Sequence, residues 1–324
     1  MHHFLALNEN PLPPLASVAA EIARTVDGVN RYPEFFPERL KSSIAGWLGV
    51  PEAQVVVGAG SVGVALQALQ ARVRPGRGLV YGWRNFDAYP LLAQMTGAEP
   101  VQVPLLPDGH QDLVALAKAA VDADAVIVCN PHNPTGQLLD AAELKEFVAL
   151  VPSDTLVVLD EAYIEFVAEA ERPDALAWIR EFPNLLVLRT FSKAFGLAGM
   201  RVGYGVAHPD LAARVNGFQL PYSMSSLSLA AVESSLRAEQ ELQERVRFIV
   251  AQRDEVFRAL GDGGWRVLPS HTNFLWLDEP DRVEQIRTRL EGAGVTARYY
   301  PGEGVRLTLG DQASNAAVLT AFTQ

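Results

Sequence analysis

One cysteine among 324 residues, Cys129, leaves no internal disulfide to form and fits a reducing compartment. It stands in the apolar run Ala125-Val126-Ile127-Val128, where a small buried filler is the expected role. No uninterrupted apolar stretch approaches the length that crosses a bilayer. Near the start, Phe4-Leu5-Ala6-Leu7 is too short for a secretory signal and breaks at once into Asn8-Glu9-Asn10-Pro11. Basic residues are outnumbered, 27 Lys and Arg against 38 Asp and Glu, giving a formal net charge of −11. Such a field repels nucleic acid and anionic membrane as general partners, so a cytoplasmic protein acting on small molecules is expected. Any anionic ligand must then be held by locally placed arginines.

What is present is a hydrophobic content of 49%, enough for a large core. Seven valine- and leucine-rich runs read as strands: 54–57, 79–81, 100–103, 125–129, 155–159, 185–188 and 202–206. Amphipathic helices are expected between several of them, at 62–73, 88–96, 112–120, 141–150 and 173–180. Strands apolar along their whole length and separated by helices predict an α/β sheet, mostly parallel and covered on both faces. After Val206 a long helical stretch, 226–260, leads into a smaller α+β region. That region reads strand 273–277, helix 282–292, strands 295–298 and 305–309, and helix 313–322. An N-terminal helix, 14–26, lacks a neighbouring strand and is expected to pack with the smaller region. The resulting division is a large domain over 30–237 and a small domain from 1–29 and 238–324.

The residues suited to chemistry collect where predicted strands give way to loops, the ligand-binding edge of open α/β sheets. Lys193 follows Thr190 and Ser192 at the end of the Leu185–Leu188 run, with Arg201 eight residues beyond across a glycine-punctuated loop. A desolvated lysine amine is the usual Schiff-base former, and hydroxyls with a fixed cation suit an anionic aldehyde cofactor. Asp160 closes a very apolar strand; a carboxylate there needs a cation, either a side chain or a protonated ring nitrogen. Glu161 beside it reads as structural. Asn133 is fixed by the two Asn-Pro pairs of Asn130-Pro131-His132-Asn133-Pro134 and can donate to a cofactor oxygen, as can Tyr163. Gly60, Ser61 and Val62 open the 62–73 helix and offer backbone N–H groups to an anion. Phe86 and Tyr89 fit either stacking on a planar ring or core packing. Arg306 alternates with Val305 and Leu307 on a short strand and is suited to fork a carboxylate or form a surface ion pair.

Taken in order, Asn8-Glu9-Asn10-Pro11, Asn30-Arg31-Tyr32-Pro33, Gly60-Ser61, Asn133-Pro134-Thr135-Gly136, Asp160-Glu161-Ala162-Tyr163, Ser192-Lys193, Arg201 and Arg306 resemble the fold-type I, class I/II aminotransferases that use pyridoxal 5'-phosphate. Within these the histidinol-phosphate aminotransferase family is the nearest in pattern. The resemblance implies a seven-stranded, mostly parallel large domain with a small α+β domain. It implies that Lys193 holds the cofactor as a Schiff base and carries the proton, that Asp160 pairs with the pyridine nitrogen, and that Asn133 and Tyr163 bind the phenolic oxygen. Phe86 takes the stacking position. Gly60, Ser61, Val62, Ser192 and Arg201 surround the phosphate, with Tyr32 reaching it from a second copy, so that a homodimer shares its sites. Arg306 receives the substrate carboxylate, with Asn10 close by and Asn133 also in contact.

Two departures bear on the substrate. The family's usual Gly-Ser-Asp-Glu is replaced by Gly60-Ser61-Val62-Gly63, and Tyr81-Gly82-Trp83-Arg84-Asn85-Phe86 resembles the aromatic (phenylalanine) branch. Few residues precede Asn8, which implies less cover over the substrate and looser selectivity. The expectation is amino-group transfer between an aromatic L-amino acid and a 2-oxo acid such as 2-oxoglutarate. Histidinol phosphate is the alternative, and it would need a second cationic cluster, for which Arg298 is the candidate. A threonine-phosphate decarboxylase and a non-enzymatic regulator built on the same body are the remaining readings.

Overall fold

The seven expected runs form one sheet. In the computed structural model, which describes residues 2–323, the chain starts with β1 (His3–Phe4), α1 (Ala16–Thr25) and α2 (Glu38–Leu48). The alternating body follows: β2 (Val55–Ala59), α3 (Gly60–Arg72), β3 (Gly78–Trp83), α4 (Ala88–Thr96), β4 (Glu99–Pro104), α5 (Leu113–Ala120), β5 (Ala123–Cys129), α6 (Ala141–Leu150) and β6 (Leu156–Asp160). Next come α7 (Ala175–Trp178), β7 (Leu185–Thr190), β8 (Val202–Ala207), α8 (Pro209–Asn216), α9 (Ser226–Arg237) and α10 (Glu239–Asp262). The last part is β9 (Val267–Leu268), β10 (Phe274–Leu277), α11 (Val283–Gly292), β11 (Val295–Thr296), β12 (Arg298–Tyr300), β13 (Gly304–Thr308) and α12 (Gln312–Thr323).

The large sheet has the order β2-β8-β7-β6-β5-β3-β4. Every neighbouring pair is parallel except those made by β8, which runs against both β7 and β2. The cause is the connection: residues 191–201 contain no crossover helix, so the chain turns straight back beside the strand it left. In β5 and β6, Val126, Val128, Val157 and Leu159 enter one core and Ala125, Ile127, Leu156 and Val158 the other. That two-residue alternation between two apolar faces is why β6 has no polar position before Asp160 and β5 none after Asp124. At roughly 1.5–3 kcal/mol for each fully buried aliphatic side chain, these faces dominate the sheet's stability. The exposed edge strand β4 carries Pro100 and Pro104, which suit a strand with one unpaired side.

The small domain is an antiparallel sheet, β12-β13-β10-β9, with its own core around Leu275, Leu277, Val305, Leu307 and Val318. Four expectations are corrected here. The N-terminal helix packs on α9, with Leu15 and Val18 in the core of the large sheet, because its apolar face meets the almost fully buried α9. The segment before it joins the small domain instead, β1 pairing with β11 and Leu5 entering the small-domain core. The stretch 226–260 is two helices, since Ala238 leaves helical geometry at φ −101° and ψ 40°. The expected strand 295–298 divides at Ala297, its halves pairing with β1 and β13 respectively. The helix expected over 173–180 shrinks to α7.

Candidate active site

The loop after β7 is anchored from below and open above. Phe191 and Phe195 are buried with ring centroids 4.7 Å apart, while Gly196 turns at φ +70°. Thr190 Oγ1 donates to Ser192 Oγ (3.0 Å) and accepts from the Ser192 N–H (3.1 Å). Between the two aromatic anchors, Lys193 projects into a cavity of about 290 Å³ that Asp160, Tyr163, Asn133, Ser61, Ser192 and Arg201 also line. Its amine donates to the carbonyls of Leu7 (3.2 Å) and Asn8 (3.0 Å), so the N-terminal segment lies across the site. Burial, with the nearby charge of Arg306, lowers its pKa to about 8. The amine is thereby brought close to a neutral, nucleophilic state. Two roomier grooves, of about 640 and about 630 Å³, contain no lysine.

Asp160 and Glu161 are adjacent carboxylates with opposite fates. Glu161 is fully buried and ion-paired with Arg189 at 2.8 Å, which bears out its structural reading. Asp160 points into the cavity, 4% exposed, and among the described residues no cation pairs with it. It accepts from the Tyr89 hydroxyl (2.9 Å) and the Ala162 N–H (3.2 Å). Burial pushes its pKa up to about 6 despite those bonds. Tyr89 is therefore neither a stacking ring nor plain core: it holds the carboxylate's orientation. Its place three residues after Phe86, at the second position of α4, gave no sequence signal for that contact.

Across the cavity, Asn133 Oδ1 accepts from Arg306 Nη1 (2.6 Å). The Asn133 amide nitrogen is then the atom left facing inward as a donor. Arg306 also donates from Nη2 to the Ala6 carbonyl (2.7 Å), and its buried Nε has no partner among the described residues. Val305 and Leu307 turn into the small-domain core while Arg306 crosses to the large domain, as strand alternation requires. The Tyr163 hydroxyl accepts from the Asn8 amide at 2.9 Å. Asn10 behaves differently from the expectation: its amide donates to the backbone carbonyls of Lys193 and Ala194, both at 3.0 Å, and so steadies the lysine loop.

At the other end, α3 begins at Gly60 with no side-chain cap, leaving the first-turn N–H groups and the positive end of the helix dipole toward the cavity. The Gly60 N–H itself bonds the Arg201 carbonyl (3.0 Å). What Gly60 contributes is space: at φ +75° any side chain would strike the Arg201 guanidinium. Gly203 does the same for Ser61, whose backbone presses against β8 where a Cβ would stand. Arg201, in the left-handed region at φ 54°, donates to Ser192 Oγ (3.4 Å) and the Ala198 carbonyl (2.9 Å). An uncapped helix end, two hydroxyls and one guanidinium form a donor set suited to a phosphate.

Phe86 lines the cavity from a loop tied to the small domain on both sides. Arg84 is ion-paired with Glu303, and Arg298 donates to Asp87 at 2.8 Å while lying over Tyr300. Arg298 is thus already paired, at a half-exposed position. Tyr32 lies outside the cavity, 85% exposed, its ring 5.0 Å from that of Tyr222, whose ring is also 4.9 Å from that of Phe35. Among the described residues no helix is long and apolar enough to cross a membrane.

Comparison with known proteins agrees with this geometry. Residues 4–322 match the family model described as aminotransferase class I and II. An aromatic amino acid aminotransferase of Streptomyces avermitilis is 47% identical over 96% of this chain and 87% of its own length. One of Cutibacterium acnes with the same name is 43% identical over 99% and 91%. Among solved structures, histidinol-phosphate aminotransferase from Sinorhizobium meliloti in complex with pyridoxal-5'-phosphate superposes with a TM-score of 0.93. It is 28% identical and covers 99% of this chain and 89% of its own. The chain belongs to the class I and II aminotransferases and is a transaminase of the fold-type I architecture.

Proposed function

We propose that this transaminase exchanges the amino group of an aromatic L-amino acid with a 2-oxo acid, using pyridoxal 5'-phosphate held at Lys193. The observation that carries the cofactor reading is a buried carboxylate, Asp160, left without a cation opposite a lysine amine of lowered pKa. A protonated pyridine nitrogen supplies the missing positive charge, and the donor set at α3, Ser192 and Arg201 fits the phosphate. Bound there, the cofactor supplies an electron sink for charge developing at the substrate's α-carbon. Asp160 keeps the ring nitrogen protonated, with Tyr89 fixing the carboxylate. The Asn133 amide and the Tyr163 hydroxyl donate to the phenolic oxygen, and Phe86 covers the ring. Lys193 takes and returns the proton at the α-carbon, for which an amine near neutrality is suited. Arg306 receives the substrate carboxylate on donors still free.

Three features support the aromatic substrate. Leu7, Val62 and Phe86 give the cavity an apolar wall, where a phosphorylated substrate would need cations. Arg298, the residue proposed to meet such a phosphate, is paired with Asp87. The relatives at 43–47% identity carry the aromatic name, whereas the histidinol-phosphate neighbour is at 28%. The exposed cluster of Tyr32, Phe35 and Tyr222 supports a homodimer in which Tyr32 reaches the partner's phosphate end. A competition assay of phenylalanine against histidinol phosphate, with 2-oxoglutarate as acceptor, tests the substrate. Turnover of histidinol phosphate alone would reject it.

A further inference from the structure

We propose that Asn8 is a positioning residue that sets the direction of the Tyr163 hydroxyl proton, turning it into the cavity toward the cofactor's phenolic oxygen. The inference rests on the cofactor reading above and adds a residue to it. Its basis is a chain of hydrogen bonds whose polarity is fixed at one end. The Asn8 backbone N–H can only donate, and it donates to Thr308 Oγ1 at 3.0 Å. The Thr308 hydroxyl proton then goes to Asn8 Oδ1, 3.0 Å away. With Oδ1 occupied as an acceptor, the Asn8 side chain presents its NH2 to the Tyr163 oxygen at 2.9 Å. A phenolic oxygen that accepts there has one hydrogen left, and the open direction is the cavity that Tyr163 lines.

The backbone around Asn8 is arranged for this. Asn8 is 1% exposed and sits in the left-handed region at φ 54°, which asparagine tolerates better than most residues. Its carbonyl accepts from Lys193 Nζ (3.0 Å) and from Asn273 Nδ2 (3.2 Å). One residue therefore touches both the lysine amine and the tyrosine hydroxyl. Thr308 stands two residues from Arg306 on β13, on the same face of the strand. The small domain thus fixes the tyrosine proton with the strand that also carries the carboxylate-binding arginine.

The test is a pH titration of coenzyme absorbance in purified holoenzyme, which reports how well the phenolic oxygen is held in its deprotonated form. Tyr163→Phe should raise the midpoint by about one pH unit, a tenfold change in proton affinity. Asn8→Ala and Thr308→Val should raise it in the same direction by a smaller, measurable amount, and Thr308→Ser, which keeps the hydroxyl, should restore the wild-type value. Loss of packing alone would not produce that pattern, and the two Thr308 variants decide the matter should Asn8→Ala fold poorly. A midpoint moved by Tyr163→Phe but unmoved by Asn8→Ala and Thr308→Val would overturn the role of Asn8 alone. A Tyr163→Phe variant with an unchanged titration would overturn the Tyr163 contact and this inference while leaving the cofactor reading standing, and a wild-type protein that takes up no coenzyme would overturn both.

Discussion

Replacing Asp160 with asparagine should make the coenzyme-free protein more stable while ruining it as a catalyst. The carboxyl is buried and uncompensated by a cation, and its pKa rises from 3.8 to about 6. A folded-state pKa above the unfolded value means the fold favours the neutral acid. That stabilisation is complete below about pH 4 and is lost as pH rises through about 6, after which the fold carries a charge that water would hold better. The difference between the two values corresponds to about 3 kcal/mol. Asparagine has the same shape and can still accept from Tyr89, but it never ionises. Stripped of coenzyme, Asp160→Asn and wild type should therefore be equally stable near pH 4. The variant should lead by about 3 kcal/mol near pH 8, roughly 4–5 °C in midpoint for a chain of this length. Urea unfolding across that pH range measures it. In holoenzyme the order should reverse, because the charge that costs stability alone is the proposed partner of the ring nitrogen. Loss of a buried charge pair, at about 3–5 kcal/mol, should lower kcat by roughly 10²- to 10⁴-fold. A stability difference independent of pH would refute the account of Asp160 as an unpaired buried charge.

The rate at which the apoprotein captures coenzyme should rise with pH through about 8, following the neutral fraction of Lys193, and Lys193→Ala should abolish both capture and turnover. Arg306→Gln removes one cationic neighbour of that amine, so the inflection should move to higher pH in stopped-flow reconstitution. Tyr89→Phe deletes the donor to Asp160 and should raise that carboxyl's pKa further; coenzyme affinity measured by equilibrium dialysis should fall about tenfold, as for one hydrogen bond to a charge. Phe35→Glu places charge in the exposed aromatic cluster and should convert a dimer into monomers in sedimentation, with activity lost in parallel.

The large sheet was legible because burial leaves a plain record: seven short apolar runs set between helical stretches. The chemistry was legible where a residue type is forced, as at Lys193 and at Asp160, whose polarity breaks an otherwise apolar strand. Tyr89 and Asn8 were not, for different reasons. Tyr89 reads as a core aromatic because all but its hydroxyl is one, and only the folded geometry aims that atom at Asp160. Asn8 stood within a quoted motif, yet its partners Thr308 and Tyr163 are 300 and 155 positions away. The break at Ala238 lacks glycine or proline, so no local feature announces it. Arg298 illustrates the converse: a free cation in sequence becomes an ion-paired one once β12 is brought beside Asp87.

Gly60 and Gly203 permit the start of α3 to press against β8 so closely that backbone and guanidinium fill every direction in which a side chain might grow. Neither glycine can therefore carry a larger residue without dismantling the anion's seat. New substrate preferences must be written on the opposite wall, through Leu7 and the small-domain strands. Libraries that diversify those positions and leave both glycines untouched should retain coenzyme while sampling side-chain preference.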